Sequence, residues 1–230
     1  MNTRGLLDQL LKSGQDLLQN KAAGGKPGKA GGLLDGANLG SLLSGAGGGA
    51  LAAGAMGLLL GNKSARKLGG KALTYGGLAA LGVIAYKAYG NWQASQRAAA
   101  SEPQTLDRLP APQAELHSQG ILKALVAAAK ADGHVDARER QLIEGEFVKL
   151  TDDPELKTWL DRELNKPLDP ADVARVATTP EMAAEMYVAS VLMVDEEHFM
   201  ERAYLDELAK QLKIEPALKQ ELENQVRQAL

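Results

Sequence analysis

Glycine divides this 230-residue chain into two halves that cannot fold by the same means. Residues 1–90 hold 22 of the 25 glycines; residues 91–230 hold three. Each glycine inside a helix costs about 1 kcal/mol relative to alanine. The first half is therefore a poor candidate for ordinary helices in water, and the second a good one. Charge follows the same division. The first half carries ten Lys/Arg against three Asp/Glu, the second 16 against 26. The net charge of −3 describes neither half. The chain has no cysteine, which excludes disulfides, thiol nucleophiles and thiolate metal sites.

The start of the chain does not read as a secretory signal, because Asp8 interrupts the apolar residues too early. Leu6, Leu7, Leu10, Leu11, Leu17 and Leu18 recur at helical spacing and predict a short amphipathic helix that needs a surface to lie on. Gly5-Leu-Leu-Asp8 is echoed by Gly32-Leu-Leu-Asp35. Between them, residues 21–32 read as a basic linker.

From Gly36 to Asn62 there are 27 consecutive residues without a charge. Gly45, Gly49, Ala53, Gly57 and Gly61 fall at every fourth position within them. Small residues at that spacing let helices approach closely in a bilayer, where backbone groups must bond to one another. A second uncharged run spans residues 72–86, with Tyr75, Tyr86, Tyr89 and Trp92 near its ends. Together the runs predict a membrane-associated hairpin over 36–92. The second run is short of the ~20 residues a span needs. Lys63, Arg66, Lys67 and Lys71 between the runs would also cross the membrane in a full hairpin, against the positive-inside rule. A single span over residues 39–61, or a hairpin that does not cross, escapes both objections. The expected partners are inner-membrane lipids, with self-association through the small-residue faces. Nucleic acid is not expected, since the positive charges are spread thinly and no recognised module holds them.

Residues 93–114, with Pro103, Pro110 and Pro112, read as a linker. From Glu115 onward helical periodicity takes over, and no stretch alternates long enough to predict a strand. Pro154, Pro170, Pro180 and Pro216 stand where first helical turns are expected. About seven helices are predicted over 115–230, an all-α domain. Trp159 and Phe147 lie on apolar faces and are expected in its core.

Two acidic turns interrupt these helices. One is Ala131-Asp-Gly-His-Val-Asp-Ala-Arg-Glu-Arg140, the other Val194-Asp-Glu-Glu-His-Phe-Met-Glu-Arg202. Helix capping accounts for Asp136 and Glu139, and Gly133 suits a helix end. It accounts less well for Asp132 and Asp195, which lie at helix C-termini, where the dipole disfavours anions. Brought together, the turns would offer five or six carboxylates to a hard cation such as Ca²⁺ or Mg²⁺. The spacing is not that of an EF-hand. A zinc site using His134 and His198 is a weaker reading than exposed turn histidines.

The runs Lys130-Ala-Asp-Gly-His-Val-Asp-Ala-Arg-Glu139 and Glu201-Arg-Ala-Tyr-Leu-Asp-Glu-Leu-Ala209 resemble the tellurite-resistance TerB-like family over residues 115–230. With the Gly-rich half included, the chain is similar to the uncharacterised bacterial membrane proteins typified by YebE. The resemblance implies an all-helical TerB fold in two related halves. It also implies a role near the inner membrane in stress or envelope responses, with the helical domain on the cytoplasmic side. The metal candidates it carries are Asp132, Asp136, Glu139, Asp195 and Glu201. The second turn lacks the glycine, and its Asp-to-Glu spacing is six rather than seven.

No Walker loop and no Gly-x-Ser-x-Gly elbow is present. The expected function is a non-enzymatic, membrane-attached binding module whose acidic domain holds a divalent ion or a basic protein partner, with no organic cofactor. The alternatives are an adaptor without metal and a metal-dependent enzyme. The expected organisation is 1–35 amphipathic segment and linker, 36–92 membrane-associated hairpin, 93–114 linker, and 115–230 helical domain.

Overall fold

The computed structural model describes residues 2–7, 78–95, 102–131, 153–194 and 199–229. Every regular element among them is helical. After a single turn at residues 3–7 come α1 (Leu78–Ser95), α2 (Ala111–Ala128) and α3 (Pro154–Asn165). They are followed by α4 (Pro170–Ala174), α5 (Pro180–Met193), α6 (Phe199–Gln211) and α7 (Pro216–Ala229). Three of these starts share one local device: an acceptor side chain directly before a proline. Asp153, Asp169 and Thr179 each accept from backbone N–H groups of the turn they open, and Pro154, Pro170 and Pro180 follow them. Proline has no N–H to leave unsatisfied at that position, so the cap and the ring fix the helix start together.

Helix α5 is the centre of the fold. From Met182 to Met193 its sequence is apolar on all sides except for Glu185 and Ser190. A helix of that kind is stable only when it is covered all round. Accordingly α1, α2, α6 and α7 all pack on it, and residues 182–191 are buried. Its closest neighbour is α2. There His117 meets Glu185, while Gly120 lies against Met182. Later residues of one helix thus face earlier residues of the other, so the two run antiparallel where they cross.

Helix α1 corrects the expected organisation. Composition predicts residues 78–92 in a membrane hairpin and 93–114 in a linker. Instead α1 packs on α5 and α7, burying Leu81, Ile84, Ala85, Ala88 and Tyr89 in the same core. Its apolar face is covered by this chain rather than by lipid. Residues 102–110 are also packed: Pro103, Thr105 and Leu106 are buried, and the Arg108 guanidinium lies 4.0 Å from the Tyr86 ring centroid. Periodicity gave no hint of this, because a short apolar helix that caps a core and one that enters a bilayer have the same composition. Among the described residues no helix is long and apolar enough to cross a membrane. The 36–62 run and the rest of residues 8–77 lie outside the described residues.

Two glycines of α1 differ in what they permit. A Cβ at Gly82 would stand 3.1 Å from the Asp107 backbone nitrogen and 2.6 Å from its Oδ1, so the 105–108 turn can lie on α1 only because that side chain is missing. Nothing stands within 4 Å of a Cβ at Gly90. Gly90→Ala is therefore expected to raise stability by about 0.5–1 kcal/mol through helix propensity alone. Gly82→Ala is expected to lower it despite the same propensity gain. Thermal melting of the two variants beside the parent chain checks the opposite signs.

Candidate functional site

Of the five metal candidates only Glu201 falls among the described residues. Asp132, Asp136, Glu139 and Asp195 lie outside them, as do His134, His198 and Phe147. Glu201 is in the first turn of α6 and is buried, 2% exposed. It is a partnered side chain rather than an open one. Among the described residues no group of three His, Asp or Glu side chains is placed to hold a metal ion.

The chain leading into each of the two acidic turns is described. The first turn departs from Ala131, the second from Val194, and both flanks are buried. Because α2 and α5 are antiparallel, these exits lie at opposite ends of the pair. Each is roughly 15 Å along its helix from the crossing at 1.5 Å per residue. Lys130 pins the first exit. Its ammonium donates to the Glu163 carbonyl at 3.0 Å and also to the Lys166 carbonyl, at the C-terminal end of α3. A cation there satisfies orphan carbonyls and complements the helix dipole. The lysine that heads the first acidic run is thus a helix-capping residue.

Sequence reasoning missed two carboxylates that organise the domain. The first is Glu185, fully buried at the centre of α5. Its Oε2 lies 2.5 Å from His117 Nδ1 on α2, and its Oε1 accepts the Leu106 N–H at 2.5 Å. One side chain thereby joins three segments. The only available signal was a lone acid within an apolar run, a pattern that calls for a partner.

The second is Glu115, near the start of α2. It receives the N-terminal turn of the chain. Oε1 accepts the Thr3 N–H at 2.8 Å and the Thr3 hydroxyl, and Oε2 accepts the Arg4 N–H at 3.2 Å. Asp153 accepts the Asn2 N–H at 3.3 Å, and Asn2 Oδ1 accepts the Gly5 N–H at 3.0 Å. Thr3, Leu6 and Leu7 are buried in the common core. The leucines at the start of the chain were predicted to need a surface. For Leu6 and Leu7 that surface is the helical domain itself.

Burial alone would raise the Glu115 pKa, but the hydrogen bonds from Thr3 and Arg4 outweigh it and hold the carboxyl below the usual glutamate range. A carboxyl whose pKa is lower folded than unfolded contributes stability that is whole above the unfolded value and lost as pH falls through the folded value. The melting difference between the parent chain and Glu115→Gln is therefore expected to be full at neutral pH. It should close as pH falls below the ordinary glutamate range. A difference that stays constant down to the acid limit would contradict this role.

A cleft of about 620 Å³ opens between α4, the start of α5 and the α6–α7 turn. Leu212, Ile214, Leu218 and Ala183 give it an apolar floor, and Arg175 and Lys213 are on its rim. Arg175 is paired with Asp172 at 3.5 Å and Asp169 at 3.9 Å. Lys213 has a φ of +56°, a left-handed conformation that closes α6 at a position usually given to glycine. Beside it the Ile214 N–H bonds back to the Ala209 carbonyl at 2.9 Å. Lys213→Gly is expected to relieve roughly 1 kcal/mol of backbone strain, readable as a rise in melting temperature.

A family model described as "Protein of unknown function (DUF533)" matches residues 45–226. The match starts inside the uncharged run and continues through α1, so the family unit crosses the compositional boundary. A protein of Yersinia enterocolitica, described as "Uncharacterized protein in ampR 5'region", is 34% identical over 110 residues. The alignment covers 48% of this chain and 79% of that relative. No solved structure matches.

Proposed function

This chain belongs to the DUF533 family of proteins of unknown function, and on that footing we propose that it is a non-catalytic, membrane-attached binding module. The observation that carries the reading is the mounting of the Gly-rich segment. Leu7 on one side of residues 8–77 and Leu81 on the other are buried in one helical core. The domain thus holds an uncharged run, residues 36–62, between two fixed points. A run of that length is suited to enter lipid, and the four positive charges that follow it are suited to an anionic surface. Within this reading the helical domain is TerB-like, faces the cytoplasm at the inner membrane, and serves a stress or envelope response of the YebE type.

The acidic turns are the sites this reading assigns to a divalent cation, Ca²⁺ or Mg²⁺ ahead of Zn²⁺, since oxygen ligands dominate them. Because their flanks leave the α2–α5 pair at opposite ends, each turn is assigned its own ion rather than a share in one cluster. Two measurements test the proposal. Carbonate washing of membranes should leave the chain in the membrane fraction; release would remove the attachment. Ca²⁺ or Mg²⁺ should raise the melting temperature by mass action on the folded state. That rise should shrink stepwise with Asp132→Ala and Asp195→Ala. No rise in the parent chain would leave an adaptor without metal, and an undiminished rise in both variants would remove the acidic turns as the site.

A further inference from the structure

We propose that the surface around Glu115 is a recognition site for a Gly-Leu-Leu helical turn, and that Gly32-Leu-Leu-Asp35 competes with residues 2–7 for it. The docked segment is held mostly by features that any such turn supplies. Two of the three bonds to Glu115 come from backbone N–H groups, those of Thr3 and Arg4. The carboxylate acts as an N-cap provided by another helix, satisfying donors that the first turn of any helix leaves open. The two leucines then enter the core, where Leu7 is completely buried and Leu6 is 3% exposed. Side-chain identity enters through the Thr3 hydroxyl on Glu115 and through Asn2, which caps its own turn.

The chain carries a second copy of what the site reads. Gly32, Leu33, Leu34 and Asp35 repeat Gly5, Leu6, Leu7 and Asp8 in order. Residues 30 and 31 would offer their N–H groups to Glu115 where Thr3 and Arg4 do now. Ala30 stands in place of Thr3 and Lys29 in place of Asn2, so the second copy lacks one hydroxyl and one cap. It is the weaker occupant. Exchange would shorten the chain held between site and α1 from residues 8–77 to residues 36–77. The site would thereby set how much of the Gly-rich segment is released.

The test uses the full chain and a fluorescent peptide of residues 1–12, read by anisotropy. The unaltered chain should not bind it, its site being filled. Leu6→Ser with Leu7→Ser should bind it weakly, because the second copy takes the vacated place. Adding Leu33→Ser and Leu34→Ser should tighten binding by about tenfold, the competitor having been at millimolar effective concentration. Adding Glu115→Gln to that quadruple variant should weaken binding by about tenfold, the loss expected of a charge-assisted capping interaction. Equal binding by the double and quadruple variants would overturn the competition. Binding indifferent to Glu115, or absent from all variants, would overturn the site. Should the variants fail to fold, hydrogen exchange decides. Leu33→Ser with Leu34→Ser in an otherwise unaltered chain should slow exchange at residues 2–7, and unchanged exchange there would refute the proposal.

Discussion

Replacing Glu185 by alanine is expected to destabilise the helical domain by about 3–5 kcal/mol, the range seen when one member of a buried polar pair is removed. The cost has two sources. His117, 4% exposed, would lose its only carboxylate partner among the described residues. The Leu106 N–H would lose its acceptor. Each orphaned buried group costs about 1–3 kcal/mol. The vacated volume adds to this, because α5 is covered on all sides. Glu185→Gln keeps an oxygen for Leu106 and an amide for His117, so it should cost far less. Pairing Glu185→Met with His117→Leu should recover part of the loss, with only Leu106 left unpaired. Chemical denaturation of the parent chain, Glu185→Met, His117→Leu and the double variant gives the coupling between the two side chains. An alanine variant as stable as the parent chain would show that the pair is incidental to the packing of α2 on α5.

What the sequence announced and what it hid follow from the range of the forces involved. Pro154, Pro170, Pro180 and Pro216 mark helix starts by a local restriction on φ, and the structure begins a helix at each. The all-apolar run of α5 was visible, but its central position was not, because burial on every side depends on what the rest of the chain brings. Glu185 and Glu115 escaped notice for the same reason. Their partners are 68 and 112 residues away in the chain, and no local pattern connects them. Helix α1 was misassigned because composition records that a face is apolar, not what covers it. The acidic turns were conspicuous, yet only Glu201 of their five candidate ligands lies among the described residues, and it is buried.

The position of α1 leads to the other large effect: the chain should touch the membrane without crossing it. A segment with both ends fixed in one helical body must return to the side it left, so any crossings come in pairs. Two helical passes need ~40 apolar residues at ~20 each. Residues 36–62 provide 27. Residues 72–86 cannot provide the return, since Leu81, Ile84 and Ala85 among them are buried in the core that α1 forms with α5 and α7. Under the proposed membrane attachment, the expected arrangement is a segment that dips into one leaflet and comes back. The same arrangement removes the charge conflict, because Lys63, Arg66, Lys67 and Lys71 then stay on the side of the helical domain. There they would meet anionic headgroups instead of being carried across. The absence of cysteine makes the test direct. Ser13→Cys and Ser64→Cys, made singly, bracket the uncharged run and have no background thiol. With a membrane-impermeant maleimide on spheroplasts, both positions should stay unlabelled until the membrane is opened, and both should then react. Labelling of Ser64→Cys alone from outside would establish a crossing and displace the dip, with membrane attachment intact. Release of the chain by carbonate would instead remove attachment itself, so the two failures are told apart.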